Sequence, residues 1–94
     1  MGKPSIIQDE NEQSCFLCGC SYWLERHHTW HGTSNRRLAD EDGLTVKLCH
    51  SCHSNLHDMG IKDRYLMQIA EKAYLDHYNA TIEDFIGRYG KNVL

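Results

Sequence analysis

Leu48-Cys49-His50-Ser51-Cys52-His53-Ser54-Asn55-Leu56-His57 places two cysteines and three histidines within ten residues. Cys49 and Cys52 are two residues apart, a spacing that lets both thiolates reach one ion about 2.3 Å away. A second such pair, Cys15-Phe16-Leu17-Cys18, lies upstream, with residues 19–48 between the two. Two pairs complete a tetrahedron of sulfur. A closed four-sulfur site has no open position for substrate, so Cys15, Cys18, Cys49 and Cys52 read as structural zinc ligands. Gly19 supplies the backbone angles that a tight reversal after Cys18 needs. Cys20, the fifth cysteine, reads as a free thiol.

The rest of the chain explains why such a staple is needed. Ninety-four residues allow one small domain, and domains of that size seldom stand on a hydrophobic core alone. Hydrophobic residues make up 40% and charged residues 24%, with a mean hydropathy of −0.61, which is a soluble composition. No apolar run approaches the roughly 18 residues of a membrane span. The first residues lack the apolar stretch of a signal peptide, and Ile6 stands where a myristoylation signal needs Ser or Thr. The expected compartment is therefore cytoplasmic and reducing, where paired cysteines hold metal more often than they form disulfides. The net charge of −3 argues mildly against indiscriminate nucleic-acid binding. Four thiolates would subtract four charges and two divalent ions would restore them, so local charge decides.

Working outward, residues 1–13 hold the single proline and a polar, acid-rich run, and read as a flexible tail. Tyr22–Trp30 reads as an aromatic-rich strand, His31–Gly43 as an ordered loop, and Leu44–Leu48 as a half-buried strand that alternates apolar and polar. Ser51–Met59 reads as a short helix stopped at Gly60. Ile61, Tyr65, Leu66, Ile69, Ala70, Ala73 and Tyr74 recur at helical spacing, which predicts a helix over about Lys62–Tyr78 with that stripe in the core. Thr81, with Asp84 three residues on, caps a last helix, Ile82–Tyr89. The predicted fold is a small α+β domain in three parts: the tail, a zinc-stapled core over 14–60, and a helical extension over 61–94 packed on that core. Knuckle, strand pair and helix in that order look like a treble-clef zinc finger.

The histidines form a second constellation. His53 and His57, four apart on one helix, face the same way. His27 and His28 end the first strand, and successive strand side chains point to opposite faces, so the two are not expected to bind one ion together. One can join His53 and His57 at a metal with open positions, and the other can stand across the substrate as a base, since a free imidazole is largely neutral at pH 7. Ser54 occupies the place of a metalloprotease's glutamate, and Leu48 rather than proline precedes Cys49, which excludes a nucleobase deaminase. His31 is a candidate substrate contact, His50 is expected to face solvent or a backbone carbonyl, and His77 to lie on the surface. Arg36 and Arg37, near the histidine pair, are candidate phosphate contacts.

From Cys15 to His57 the motif order resembles the HNH, or ββα-metal, nucleases. It runs CxxC, His27-His28 ending strand one, a loop, then Leu48-Cys49-x2-Cys52-His53-x3-His57. Glu25-Arg26-His27-His28 through Gly32, and Asn35-Arg36 to Gly43-Leu44, are similar to small HNH proteins of phages and prophages. Tyr89-Gly90-Lys91-Asn92 is similar too, less specifically. The resemblance implies that His27, His53 and His57 bind a divalent metal (Mn²⁺, Ni²⁺, Zn²⁺ or Mg²⁺) and that His28 is the general base. It implies hydrolysis of DNA phosphodiester bonds without strong sequence specificity. Three imidazoles favour Mn²⁺ or Ni²⁺ over Mg²⁺, which prefers oxygen ligands. The family's middle Asn, which positions the base through its backbone, has no counterpart: Asp42-Gly43-Leu44 occupies that region. The rival expectation is a non-catalytic zinc module of the same shape that binds nucleic acid or protein, as an accessory in phage recombination or packaging.

Overall fold

Two strands and four helices follow in the order β1 (Leu24–His28), α1 (Thr33–Asp42), β2 (Thr45–Cys49), α2 (His50–Met59), α3 (Asp63–Tyr78) and α4 (Ile82–Tyr89). The computed structural model describes residues 3–94, with Thr33 described by its backbone alone. The strands form one antiparallel pair in which Glu25 opposes Leu48, His27 opposes Val46 and His28 opposes Thr45. This is the expected small α+β architecture. Among the described residues, no helix is long and apolar enough to cross a membrane.

The strand period divides the sheet chemically. Glu25, His27, Val46 and Leu48 share the face under α2, where Leu56 of α2 and Leu66 of α3 join Val46, Leu48, Cys15 and Cys49 in one core cluster. A second cluster gathers around Trp30, which is fully buried with Ala39, Leu44, Ala70, Phe85, Tyr89 and Val93. Trp30 and Phe85 meet edge to face with centroids 4.9 Å apart, and Phe85 stacks on Tyr89 at 4.5 Å. The indole N–H donates to the Met67 carbonyl at 3.1 Å, so the polar end of a buried Trp is satisfied.

The segment expected to be a loop is helical. Thr33–Asp42 forms α1, and the two glycines that suggested a loop flank it as caps: Gly32 precedes it, and Gly43, in the left-handed region, donates its N–H to the Ala39 carbonyl. Little in a polar run with only Leu38 and Ala39 to bury signals a helix. Its stability comes from elsewhere in the chain. Arg88 of α4 donates in bidentate fashion to Asp42 at 2.6 and 2.9 Å, Tyr89 donates to the same carboxylate at 2.7 Å, and Tyr78 donates to the Asp42 carbonyl at 2.9 Å.

The N-terminal segment also differs from expectation. Met1 and Gly2, part of the expected flexible tail, lie outside the described residues. Between Lys3 and Gln8 the chain packs on the domain, while Asp9–Gln13 are exposed as expected of a tail. Lys3 N–H donates to the Asp40 carbonyl, Ile6 N–H to the Gly43 carbonyl, and the Lys47 N–H to the Gln8 side chain at 2.8 Å. Ile6 and Ile7 pack on the core clusters, and the Lys47 ammonium donates to the Glu10 and Glu12 carbonyls. Gly43 is required twice here: its φ is +79°, and a Cβ would meet the Pro4 carbonyl oxygen at 2.6 Å. The tail therefore covers the open edge of β2.

On α3 the buried face is Leu66, Ala70 and Glu71, while Ile61 and Tyr65, expected in the stripe, are exposed. Glu71 rotates that face by accepting the Val93 N–H at 2.9 Å, which draws the chain end onto the helix. On α4 the expected cap is present: Asp84 N–H donates to Thr81 Oγ1, and Thr81 N–H to the Asp84 carboxylate.

Candidate metal centres

The knuckle after Ser14 and the junction of β2 with α2 bring four sulfurs together. One donor atom from each of Cys15, Cys18, Cys49 and Cys52 lies within 4.8 Å of every other. Cys18 and Cys49 sulfurs are 3.7 Å apart, against roughly 3.8 Å for the edge of a tetrahedron with 2.3 Å bonds. The cluster could therefore hold a structural metal such as zinc. Burial alone would raise the Cys15 thiol, but backbone N–H groups of Cys49, Cys18 and Leu17 outweigh it and bring the pKa down to about 6. Burial and the neighbouring thiols push Cys52 upward. A fully ionised set of four needs a cation among them.

The second cluster lies further along α2. His27, on the inner face of β1, meets His53 and His57, with ring centroids 5.1 and 5.7 Å away. One nitrogen from each of the three falls within 4.8 Å of the others. His53 and His57 turn their Nε2 atoms toward each other at 3.0 Å. Glu25, two residues before His27 on the same strand face, accepts from His53 Nδ1 at 2.6 Å and from His50 Nδ1 at 3.2 Å. Those bonds lower the Glu25 pKa and fix the His53 ring so that Nε2 faces the cluster.

His27 is the telling member. It is 2% exposed, and its Nε2 has no hydrogen-bond partner. Burial, reinforced by the positive charge of His53, His57 and His31, drives its pKa down to about 3, so the ring is neutral at pH 7. A buried imidazole nitrogen without a partner is costly unless something absent from the protein atoms completes it. Three imidazole nitrogens this close together could hold a metal ion.

The cluster opens into a cleft of about 440 Å³, also lined by His28, His31, Arg26 and Arg36. His28 points to the opposite strand face from His27, and its Nε2 meets Asp40 of α1 at 3.2 Å. His31 is held at the rim by Asp63 at 2.9 Å. The two arginines separate. Arg36 lines the cleft, while Arg37 reaches Glu41 at 2.6 Å and borders a second hollow shared with His28, Arg36 and Asp40.

No protein-family model, no curated protein and no solved structure matches this chain.

Three polar partners escaped the sequence reading. Glu25 was legible, since a residue two before His27 on a strand must share its face. His50 was expected to face solvent or a carbonyl. It is exposed, and it also stacks flat on Trp23, with centroids 4.1 Å apart and planes 10° off parallel, and bonds the Glu25 carboxylate rather than a carbonyl. Asp40 had no usable signal, because its position follows only once residues 33–42 are known to be helical.

Proposed function

We propose that this chain is a metal-dependent endonuclease of the HNH type, hydrolysing DNA phosphodiester bonds. The observation that carries this reading is the buried, unpartnered His27 Nε2 facing two further imidazoles at the floor of an open cleft. In this reading the four-cysteine knuckle, the strand pair and α2 form a treble clef, and a phage or prophage origin in a bacterial cytoplasm goes with the resemblance. His27, His53 and His57 would hold the catalytic ion, and the four cysteines a structural zinc. When bound, a divalent ion at the histidines supplies positive charge for the scissile phosphate and the departing 3′ oxygen.

The chain's own groups do the rest. Asp40 accepts at His28 Nε2, which keeps the proton on that nitrogen and leaves the Nδ1 lone pair to take a proton from the attacking water. Asp40 thus does with its side chain what the family's Asn does through its backbone. Glu25 fixes His53 from behind. Arg36, on the cleft wall, is placed to hold a phosphate oxygen, a contact that reads charge and not sequence.

The test is supercoiled-plasmid cleavage with Mg²⁺, Mn²⁺, Ni²⁺ or Zn²⁺ added, beside His28→Ala. The variant is expected to lose roughly 10²–10⁴-fold in rate while keeping its fold and metal content. Mn²⁺ or Ni²⁺ should outperform Mg²⁺; equal or better rates with Mg²⁺ would sink the three-histidine ligand set. No cleavage with any metal would transfer the reading to a non-catalytic zinc module.

A further inference from the structure

We infer that the Trp23 indole is a stacking platform for an unpaired DNA base, so that the substrate carries single-stranded character beside the scissile phosphate. The inference rests on the nuclease reading and names the substrate class of that site.

The strand period and the helix period run in step along one face of the sheet. Trp23 meets His50, Glu25 meets His53, and His27 meets His53 and His57. Trp23 is therefore the outermost rung of the ladder whose inner rungs are the candidate metal ligands. Its ring lies flat against His50, and His50 is held from behind by Glu25. Stacking covers one indole face. The ring remains 70% exposed, which leaves the other face open to solvent, and Tyr22 beside it is 81% exposed.

The backbone holds the ring in place at a cost. Trp23 has φ +51°, a conformation that bulky side chains rarely adopt, and its carbonyl accepts the His50 N–H at 3.0 Å. A large aromatic kept in that conformation and stacked on one side is preorganised for a second flat partner. Trp23 stands just before β1, four positions from His27 and about 13 Å away at strand rise, which is a span of a few nucleotides along one strand. In a duplex the base faces are covered by their stacked neighbours, so an indole at that distance finds an open face only on an unpaired base. Arg36 on the cleft wall supplies charge complementary to the phosphates between, while Arg26 is already engaged by Glu10 and Asp40.

The experiment uses the full chain with its zinc and no second metal. Fluorescence anisotropy compares a short labelled DNA strand with the same strand annealed to its complement. Trp23→Gly suits the left-handed backbone, so its fold should persist, as zinc content and melting temperature will show. Trp23→Phe keeps an aromatic face. The glycine variant should bind the single strand roughly 5- to 150-fold more weakly, the phenylalanine variant should recover most of that, and duplex affinity should not move. Unchanged single-strand affinity, or equal loss on both DNA forms, would overturn the platform. Metal-dependent cleavage by the wild-type protein alongside either result would leave the nuclease reading standing. A wild-type protein that neither binds nor cuts DNA would overturn both.

Discussion

Cys49 and Cys52 complete one donor cluster at the start of α2, and His53 and His57 begin another within the same ten-residue helix. The two are built in opposite ways. The sulfur cluster draws its members from a knuckle and a strand end that are otherwise joined by the Phe16 N–H to Lys47 carbonyl bond and a small apolar cluster, and its four donors leave nothing open. The histidine cluster draws on β1 and α2, which the sheet and Leu56 already hold in place, and its three donors face a cleft. The contrast teaches that donor number and placement distinguish a closed cluster from one that faces a cleft. Removing the first should cost the fold, and removing the second should cost only chemistry.

The strongest way to break that comparison is Cys49→Ser. Structural zinc contributes about 10–16 kcal/mol to small zinc domains, more than the ~5–15 kcal/mol of net stability a domain has. The variant should lose zinc and its far-ultraviolet circular dichroism together; a folded, zinc-free variant would refute the staple. His57→Ala, at an exposed position, should lose cleavage and reduce bound metal from two equivalents to one by elemental analysis, with melting within a few degrees of wild type. A collapse in melting temperature would make the two clusters alike.

Glu25→Gln sharpens the distinction, because it touches only the imidazole side. Its metal affinity there should fall about 10–100-fold by calorimetry, with the sulfur site unaltered. Arg88→Met strikes neither cluster. Losing its bidentate bonds to Asp42 should cost about 1–3 kcal/mol, some 4–8 °C per kcal/mol, with both metals retained below the transition. A further test lies in the acid limb. His27 is held to about 3 in the fold against 6.5 when free, so between those values the unfolded chain binds a proton that the folded chain does not. Stability should therefore fall as pH drops through that window, by at most about 1.4 kcal/mol per pH unit. His27→Gln should flatten that slope in chemical-denaturation curves, and an unaltered slope would assign it to other groups.

Legibility followed how local each signal was. The CxxC spacings, the i, i+4 pair His53 and His57, the second strand and the Thr81–Asp84 cap are all short-range patterns, and each is present, although the strand expected to be half-buried is buried on both faces with Thr45 included. The polar helix α1 was not readable, because Arg88, Tyr89 and Tyr78, which hold its end, lie more than thirty residues away. The covering of β2 by the N-terminal segment failed for the same reason. A polar, acid-rich run looks frayed until Lys47, Thr45 and Gly43 are seen to accept and donate along it.

Residue identity and spacing were enough to say that this chain carries two donor clusters, one of sulfur and one of imidazole, on a small α+β scaffold. They were enough because metal ligation needs particular atoms at particular short intervals. Which acids stand behind those imidazoles, and that Trp23 lies flat on His50 at the end of the same row, was decided by tertiary structure alone. Asp40 reaches His28 only because α1 folds back across the sheet, and Trp23 reaches His50 only because α2 runs along β1. Those contacts join residues 12 to 28 positions apart, and no local period encodes them.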